Sequence, residues 1–179
     1  MTQTARLYGG SLYELAAEEQ LTDIIMEQMK EIRQLFRENP DYMRLLSEPS
    51  IPKHERTEMI ETAMGARVQR YLVNFLKILC ERGILREYAG CCEEFTRRYN
   101  ADQNIAEAVV TAAVRLSESQ MQALTERLEK ISGKRISLIQ KTDPTVLAGL
   151  RVELEGRQMD GTISGRLSGI SRKLNELVV

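Results

Sequence analysis

Tryptophan is absent from this chain of 179 residues, histidine occurs once, and there are only four prolines and three phenylalanines. A single imidazole removes most acid–base chemistry that relies on histidine; His54 stands in the charged run Lys53-His54-Glu55-Arg56 and reads as a surface residue. The three cysteines, Cys80, Cys91 and Cys92, lack metal-ligand spacing, and a bridge between the adjacent pair would be strained. They read as reduced, core-filling side chains, so neither a metal nor another cofactor is expected. An excess of one charge is missing too: 25 basic residues face 26 acidic ones, which argues against nucleic acid as a partner. No apolar run approaches the ~18 residues of a membrane span, and Glu14, Glu18 and Glu19 fall where a signal peptide needs its apolar stretch. The expected location is the cytoplasm or the cytoplasmic face of a membrane complex, with no direct membrane insertion.

What remains is a chain with 42% apolar residues and little glycine or proline, hence folded and rich in helix. Helical periodicity runs through the first 100 or so residues. Ala5, Tyr8, Leu12 and Leu15 share one face of a first helix near Ala5 to Glu18, and Leu21, Ile25, Ile32 and Leu35 share a face of a second. Asn39-Pro40 reads as a cap with proline at the first helical position, and Ser47 to Pro52 as a break before another helix that ends near Gly65. The stretch from Arg67 to Arg82 is apolar over most of its circumference. Val68, Tyr71, Leu72, Phe75, Leu76 and Leu79 make a core stripe, while Val73, Ile78 and Cys80 add apolar groups elsewhere. Such a helix needs burial on more than one face, as the centre of a bundle, as a docking groove for a partner helix, or as both. Gly83 closes it, and Ile84 to Tyr99 carries a final amphipathic pattern.

The period changes at Ile105. Ala106 to Val114 reads as a strand, Ser117 to Gln120 has capping-box spacing for a helix to Ser132, and Arg135 to Lys141 and Leu150 to Leu154 alternate as strands. Gly156 to Gly161 reads as a turn with a short return strand, with a tight turn at Asp160-Gly161 and a last helix from Thr162. Two units follow, a helical 1–104 and a small α/β 105–179. On the last helix Gly161, Gly165 and Gly169 permit close packing, while Ile163, Leu167, Ile170, Leu174 and Leu177 form a seam at 4-3-4-3 spacing. That seam suits the chain's own sheet or a helical partner.

Catalytic patterns fail one by one. Ser132-Gly133-Lys134 has Leu128 where a phosphate loop needs its first glycine. Gly161 to Gly165 misses the GXXG clamp of RNA-binding KH modules by one position. The acidic pairs Glu18-Glu19, Glu93-Glu94 and Glu153 with Glu155 have no partner base in the pattern and read as solvated charges.

Three marks, in order and with matching gaps, carry a family resemblance over nearly the full length. They are Ala5-Arg-Leu-Tyr-Gly-Gly-Ser-Leu-Tyr-Glu-Leu-Ala16, Asn74-Phe-Leu-Lys-Ile-Leu-Cys-Glu-Arg-Gly-Ile-Leu85, and Asp143-Pro-Thr-Val-Leu-Ala-Gly-Leu150 followed by Met159-Asp-Gly-Thr-Ile-Ser-Gly-Arg-Leu167. The chain resembles the delta subunits of bacterial F-type ATP synthases and their mitochondrial counterpart, the oligomycin-sensitivity-conferring protein. Gly9-Gly10-Ser11 stands where the family usually has Ala-Lys-Ala, which weakens the first helix by propensity. The resemblance implies a mainly α protein, a six-helix N-terminal bundle followed by a small C-terminal α/β domain. It implies a non-catalytic stator subunit, one copy per complex, that ties the catalytic head to the peripheral stalk and resists rotational torque. By the same resemblance, Tyr8, Ser11, Leu12, Leu15, Leu72, Phe75, Leu76 and Leu79 are the candidates to meet N-terminal helices of α-subunits, with some of them facing the core instead. Gly149, Asp160, Gly161, Leu174 and Leu177 are the candidates to contact or shape a site for the C-terminal end of the b-subunit, Asp160 and Gly161 chiefly as turn formers.

Overall fold

A computed structural model describes residues 1–146 and 149–161 of the chain. Contacts divide it into two compact units, Met1–Tyr99 and Asn100–Val179. The first contains α1 (Gln3–Glu18), α2 (Thr22–Glu38), α3 (Pro40–Leu46), α4 (Lys53–Met64), α5 (Arg70–Glu81), one 3-10 turn (Leu85–Glu87) and α6, which starts at Tyr88 and runs to Asp102. The second contains β1 (Ile105–Ala112), α7 (Glu118–Ser132), β2 (Arg135–Thr142), β3 (Leu150–Leu154) and β4 (Arg157–Asp160). The expected last helix, with Gly165, Gly169, Leu174 and Leu177, lies outside the described residues.

Local chemistry fixes most element ends. The Thr2 hydroxyl accepts from the Ala5 amide and caps α1. Gly83 follows α5 at φ +70°, a conformation that costs glycine little. Asn39 does not cap α3 as its position suggests; its side-chain amide donates back to the Leu35 carbonyl at 3.0 Å. The helix read from Arg67 starts at Arg70, because the amides of Arg67 and Val68 still bond to the Met64 carbonyl at the end of α4. Gln28 on α2 then clamps this connection, accepting from the Gln69 amide at 2.8 Å and donating to the Arg67 carbonyl.

Helices α1 to α6 share one apolar core. Edge-to-face pairs, Tyr13 with Phe95 and Phe36 with Tyr88, contribute to it, and the Tyr88 hydroxyl donates to the Met29 carbonyl inside the core. The last carbonyl of α3, on Leu46, accepts from both the buried Arg56 guanidinium and the Cys80 thiol. A cation at that helix end also suits the helix dipole. Where α1 crosses α6, backbones come nearly into contact. A methyl at Gly9 would lie 2.5 Å from the Cys91 carbonyl oxygen, and one at Gly90 would lie 2.8 Å from the Ala5 methyl. Gly9 therefore permits the crossing, and its effect on α1 propensity is secondary.

The α1–α6 contact is bordered by a charge cluster. Glu94 is almost fully buried and accepts a two-point bond from Arg97 and a third bond from Arg98, which also reaches Glu14 on α1. Hydrogen bonding from Arg97 outweighs desolvation and lowers the Glu94 carboxyl to about 2.

In the second unit the sheet order is β2-β1-β3-β4, with β1 and β2 parallel and the other pairs antiparallel. The capping box expected of Ser117 and Gln120 is formed at the start of α7. Leu124 and Leu128 on α7 pack over Ala106, Ala108 and Val110 of β1. Asp143 makes its turn by accepting from the Thr145 amide and hydroxyl. Asp160, expected in a tight turn with Gly161, still pairs within β4, and the turn expected from Gly156 is made by Glu155 and Gly156. Both residues have positive φ (49° and 77°) and link the paired Leu154 and Arg157, the two-residue geometry that matches strand twist. Asp160 sits within β4 opposite Arg151, and the Gly161 amide donates to the Leu150 carbonyl.

Two outcomes are expected. Gly9→Ala should lower stability by about 1–3 kcal/mol, because overpacking against a backbone carbonyl exceeds the ~1 kcal/mol gain in helix propensity; denaturant unfolding measures it. Glu94 has a folded pKa below its ordinary value, so its pairing stabilises the protein above about pH 4.5 and is lost as pH falls towards about 2. Glu94→Gln should lower the melting temperature at neutral pH and flatten its decline across that acid window.

Candidate functional site

Helices α1 and α5 leave a groove of about 480 Å³ on the helical unit, lined by Leu7, Tyr8, Ser11, Leu12, Leu15, Tyr71, Asn74, Phe75 and Ile78. Its walls are two helical stripes. Leu7, Ser11 and Leu15 recur every four residues on α1, and Tyr71, Asn74 and Ile78 every three or four on α5, as neighbours on a helix surface do. The α1 stripe spans eight residue steps, about 12 Å at 1.5 Å per residue, or roughly two turns of a docked helix. Leu12 and Phe75 form the buried floor; Leu7 (66% exposed) and Ile78 (44%) stand at the rim. Among the described residues, no charged side chain lines the groove. Just beyond it, Glu19 raises the pKa of the Tyr71 phenol by its charge, with burial and a hydrogen bond adding to the effect. Lys77 is engaged with Glu61 on α4.

The structure sorts the residues expected on this surface. Tyr8, Ser11, Leu12, Leu15 and Phe75 come together in the groove. Leu72, Leu76 and Leu79 have no exposed surface and pack into the helical core behind it. Leu7, Tyr71, Asn74 and Ile78 complete the lining. Ile78 had a signal in the sequence, as an apolar residue off the core stripe of α5; Leu7 and Asn74 had only their helical phase.

In the second unit Gly149 has φ +105° and leads into β3. Gly161 holds its backbone against β3, where an added methyl would lie 3.1 Å from the Leu150 oxygen. Asp160 takes its place in β4. These three therefore sit around the β3–β4 ladder, while Leu174 and Leu177 lie outside the described residues.

Among the described residues, no group of three or more His, Cys, Asp or Glu side chains is placed to hold a metal ion, and no helix is long and apolar enough to cross a membrane. His54 is exposed, with Glu55 4.0 Å away. All three thiols are buried and unbridged. Burial pushes Cys91 up to about 11 and Cys92 up to about 12, and raises Cys80 as well.

Comparison with known proteins agrees over nearly the whole length. The ATP synthase delta (OSCP) subunit family matches residues 4–174. ATP synthase subunit delta of Alkaliphilus oremlandii is 30% identical over 175 residues, 98% of this chain and 97% of that protein. The same subunit of Lachnoclostridium phytofermentans is 29% identical over 171 residues, 95% of this chain and 94% of that protein. A chain of the Toxoplasma gondii mitochondrial ATP synthase hexamer shares the fold at a TM-score of 0.68 and 15% identity, covering 97% of this chain and 98% of that one.

The raised thiols carry a measurable consequence, since the thiolate is the reactive form. At pH 8 iodoacetamide should leave Cys80, Cys91 and Cys92 unmodified in the folded protein and alkylate all three in denaturant, as read by intact mass.

Proposed function

This chain belongs to the ATP synthase delta (OSCP) subunit family, and we propose that it bridges the catalytic head and the peripheral stalk of an F-type ATP synthase. As a delta subunit it is a non-catalytic component of the stator. In this reading the helical unit, a six-helix bundle over 1–104, receives N-terminal helices of α-subunits. The α/β unit over 105–179 holds the C-terminal end of the b-subunit, with Gly149, Asp160 and Gly161 shaping that site and Leu174 and Leu177 contacting the partner. One copy then keeps the head from turning with the central shaft, at the cytoplasmic face of the membrane.

The observation that carries the head-binding half is the α1–α5 groove. It is apolar, uncharged and about two turns long, and its floor is continuous with the protein core. An amphipathic helix laid into it buries its apolar stripe against Leu12 and Phe75, while Leu7 and Ile78 close over its sides. Within the expected contact set, Tyr8, Ser11, Leu12, Leu15 and Phe75 act directly, and Leu72, Leu76 and Leu79 act by holding the wall in place.

Titration of the full chain with an α-subunit N-terminal peptide tests this. Binding should persist in moderate salt, because the lining carries no charge to be screened. Ile78→Glu should weaken it by about 2 kcal/mol, roughly thirtyfold, with little change in melting temperature. Absence of binding, or binding abolished by moderate salt, would refute the reading.

A further inference from the structure

The apolar lining of the α1–α5 groove is interrupted on each wall by one small uncharged polar side chain, Ser11 on α1 and Asn74 on α5. Both are exposed, and among the described residues neither side chain has a hydrogen-bond partner. The two phenols in the lining differ from them. Tyr71 is already engaged by Glu19, and Tyr8 is half-buried with its ring packed against the core.

A partner helix seated in this groove takes Ser11 and Asn74 out of water. If its facing stripe were wholly apolar, the Asn74 amide would be left unpaired at about 1–3 kcal/mol, and the Ser11 hydroxyl would have only the Leu7 carbonyl one turn back to donate to. A charged residue in that stripe fares no better, since no countercharge lines the groove. An uncharged amide or hydroxyl opposite Ser11 and Asn74 satisfies both, because each of these groups donates and accepts. A single buried polar position fixes the register of a coiled coil by the same energetics.

We propose that Ser11 and Asn74 are the register-setting pair of the groove, selecting an amphipathic helix whose apolar stripe is broken once by Ser, Thr, Asn or Gln. This rests on the groove being the docking site for the α-subunit helix. It adds that one position of that helix is read by hydrogen bonding, which fixes how far the helix slides along the two walls.

The experiment uses the full chain and two peptides. One is the native α-subunit N-terminal segment; in the other every uncharged polar residue of the apolar stripe is replaced by leucine. Wild-type protein should bind the native peptide about tenfold more tightly than the leucine version. In the double variant Ser11→Ala/Asn74→Leu that preference should vanish or reverse. Both substituted side chains are exposed, so an unchanged melting temperature is expected and reports an intact fold. Equal or tighter binding of the leucine version by wild type, or a preference that survives in the double variant, overturns the register device and leaves groove docking intact. If neither peptide binds, the groove reading fails and the register device fails with it.

Discussion

Helix α1 has two flanks with opposite demands, and the helical unit is organised by how they are met. On the α6 side the side chains are reduced to almost nothing. Ala5 and Gly9 face Gly90 and the backbone of Cys91 so closely that one methyl group at Gly9 would intrude on a carbonyl oxygen. On the α5 side the filling residues are large, with Leu12 and Phe75 between the helices and Leu7 and Ile78 beyond them. Close approach on one flank fixes where α1 lies, and bulky residues on the other keep α5 at a distance. The groove is the space left between helices that are held elsewhere.

Charge follows the same partition. The buried Glu94 carboxylate gathers Arg97 and Arg98, and Arg98 extends the cluster to Glu14, so the ionic contacts of α1 described here fall on its α6 side. Glu94 is the buried member, so losing its arginines would leave a carboxylate inside the protein without partners, which makes the arrangement sensitive to substitution. The groove side is left neutral. The proposed helix docking is favoured by this, because a neutral lining has no ionic desolvation cost on binding and little dependence on salt.

Most of the helices and the strands β2 and β3 were legible from periodicity, since burial on one face writes a period of 3.6 or 2 into the sequence, while β1 showed as a β-branched run and β4 as the return from the turn at Gly156. The failures are instructive. Glu94 was read as a solvated charge, yet its carboxylate is almost fully buried against Arg97 and Arg98. The hairpin turn falls at Glu155-Gly156, although Asp160-Gly161, which continues the ladder, has the stronger turn composition. Composition proposes a turn, and pairing register decides between neighbours, here by setting Leu154 opposite Arg157. Gly9 reads locally as a weak point in a helix, and only the position of Cys91, 82 residues further along the chain, gives it a packing role. Leu72, Leu76 and Leu79 could not be separated from Phe75 by pattern, because all lie on the apolar arc of one helix. Which part of that arc meets the core depends on where α1 sits.

Helix α5 therefore serves two surfaces through alternate residues, with Leu72, Leu76 and Leu79 inward and Tyr71, Asn74 and Ile78 outward. A partner that buries the outward set adds cover to a helix already carrying much of the core, so docking and folding stability are linked. Any ligand selective for the folded state stabilises it by RT ln(1 + [L]/Kd), about 2.7 kcal/mol at a hundredfold excess over Kd. In the proposed assembly the partner helix is tethered beside the groove, so its effective concentration is high and the linkage is always engaged. On that proposal an open apolar groove in the isolated chain is a property of the unbound state alone, since assembly fills it.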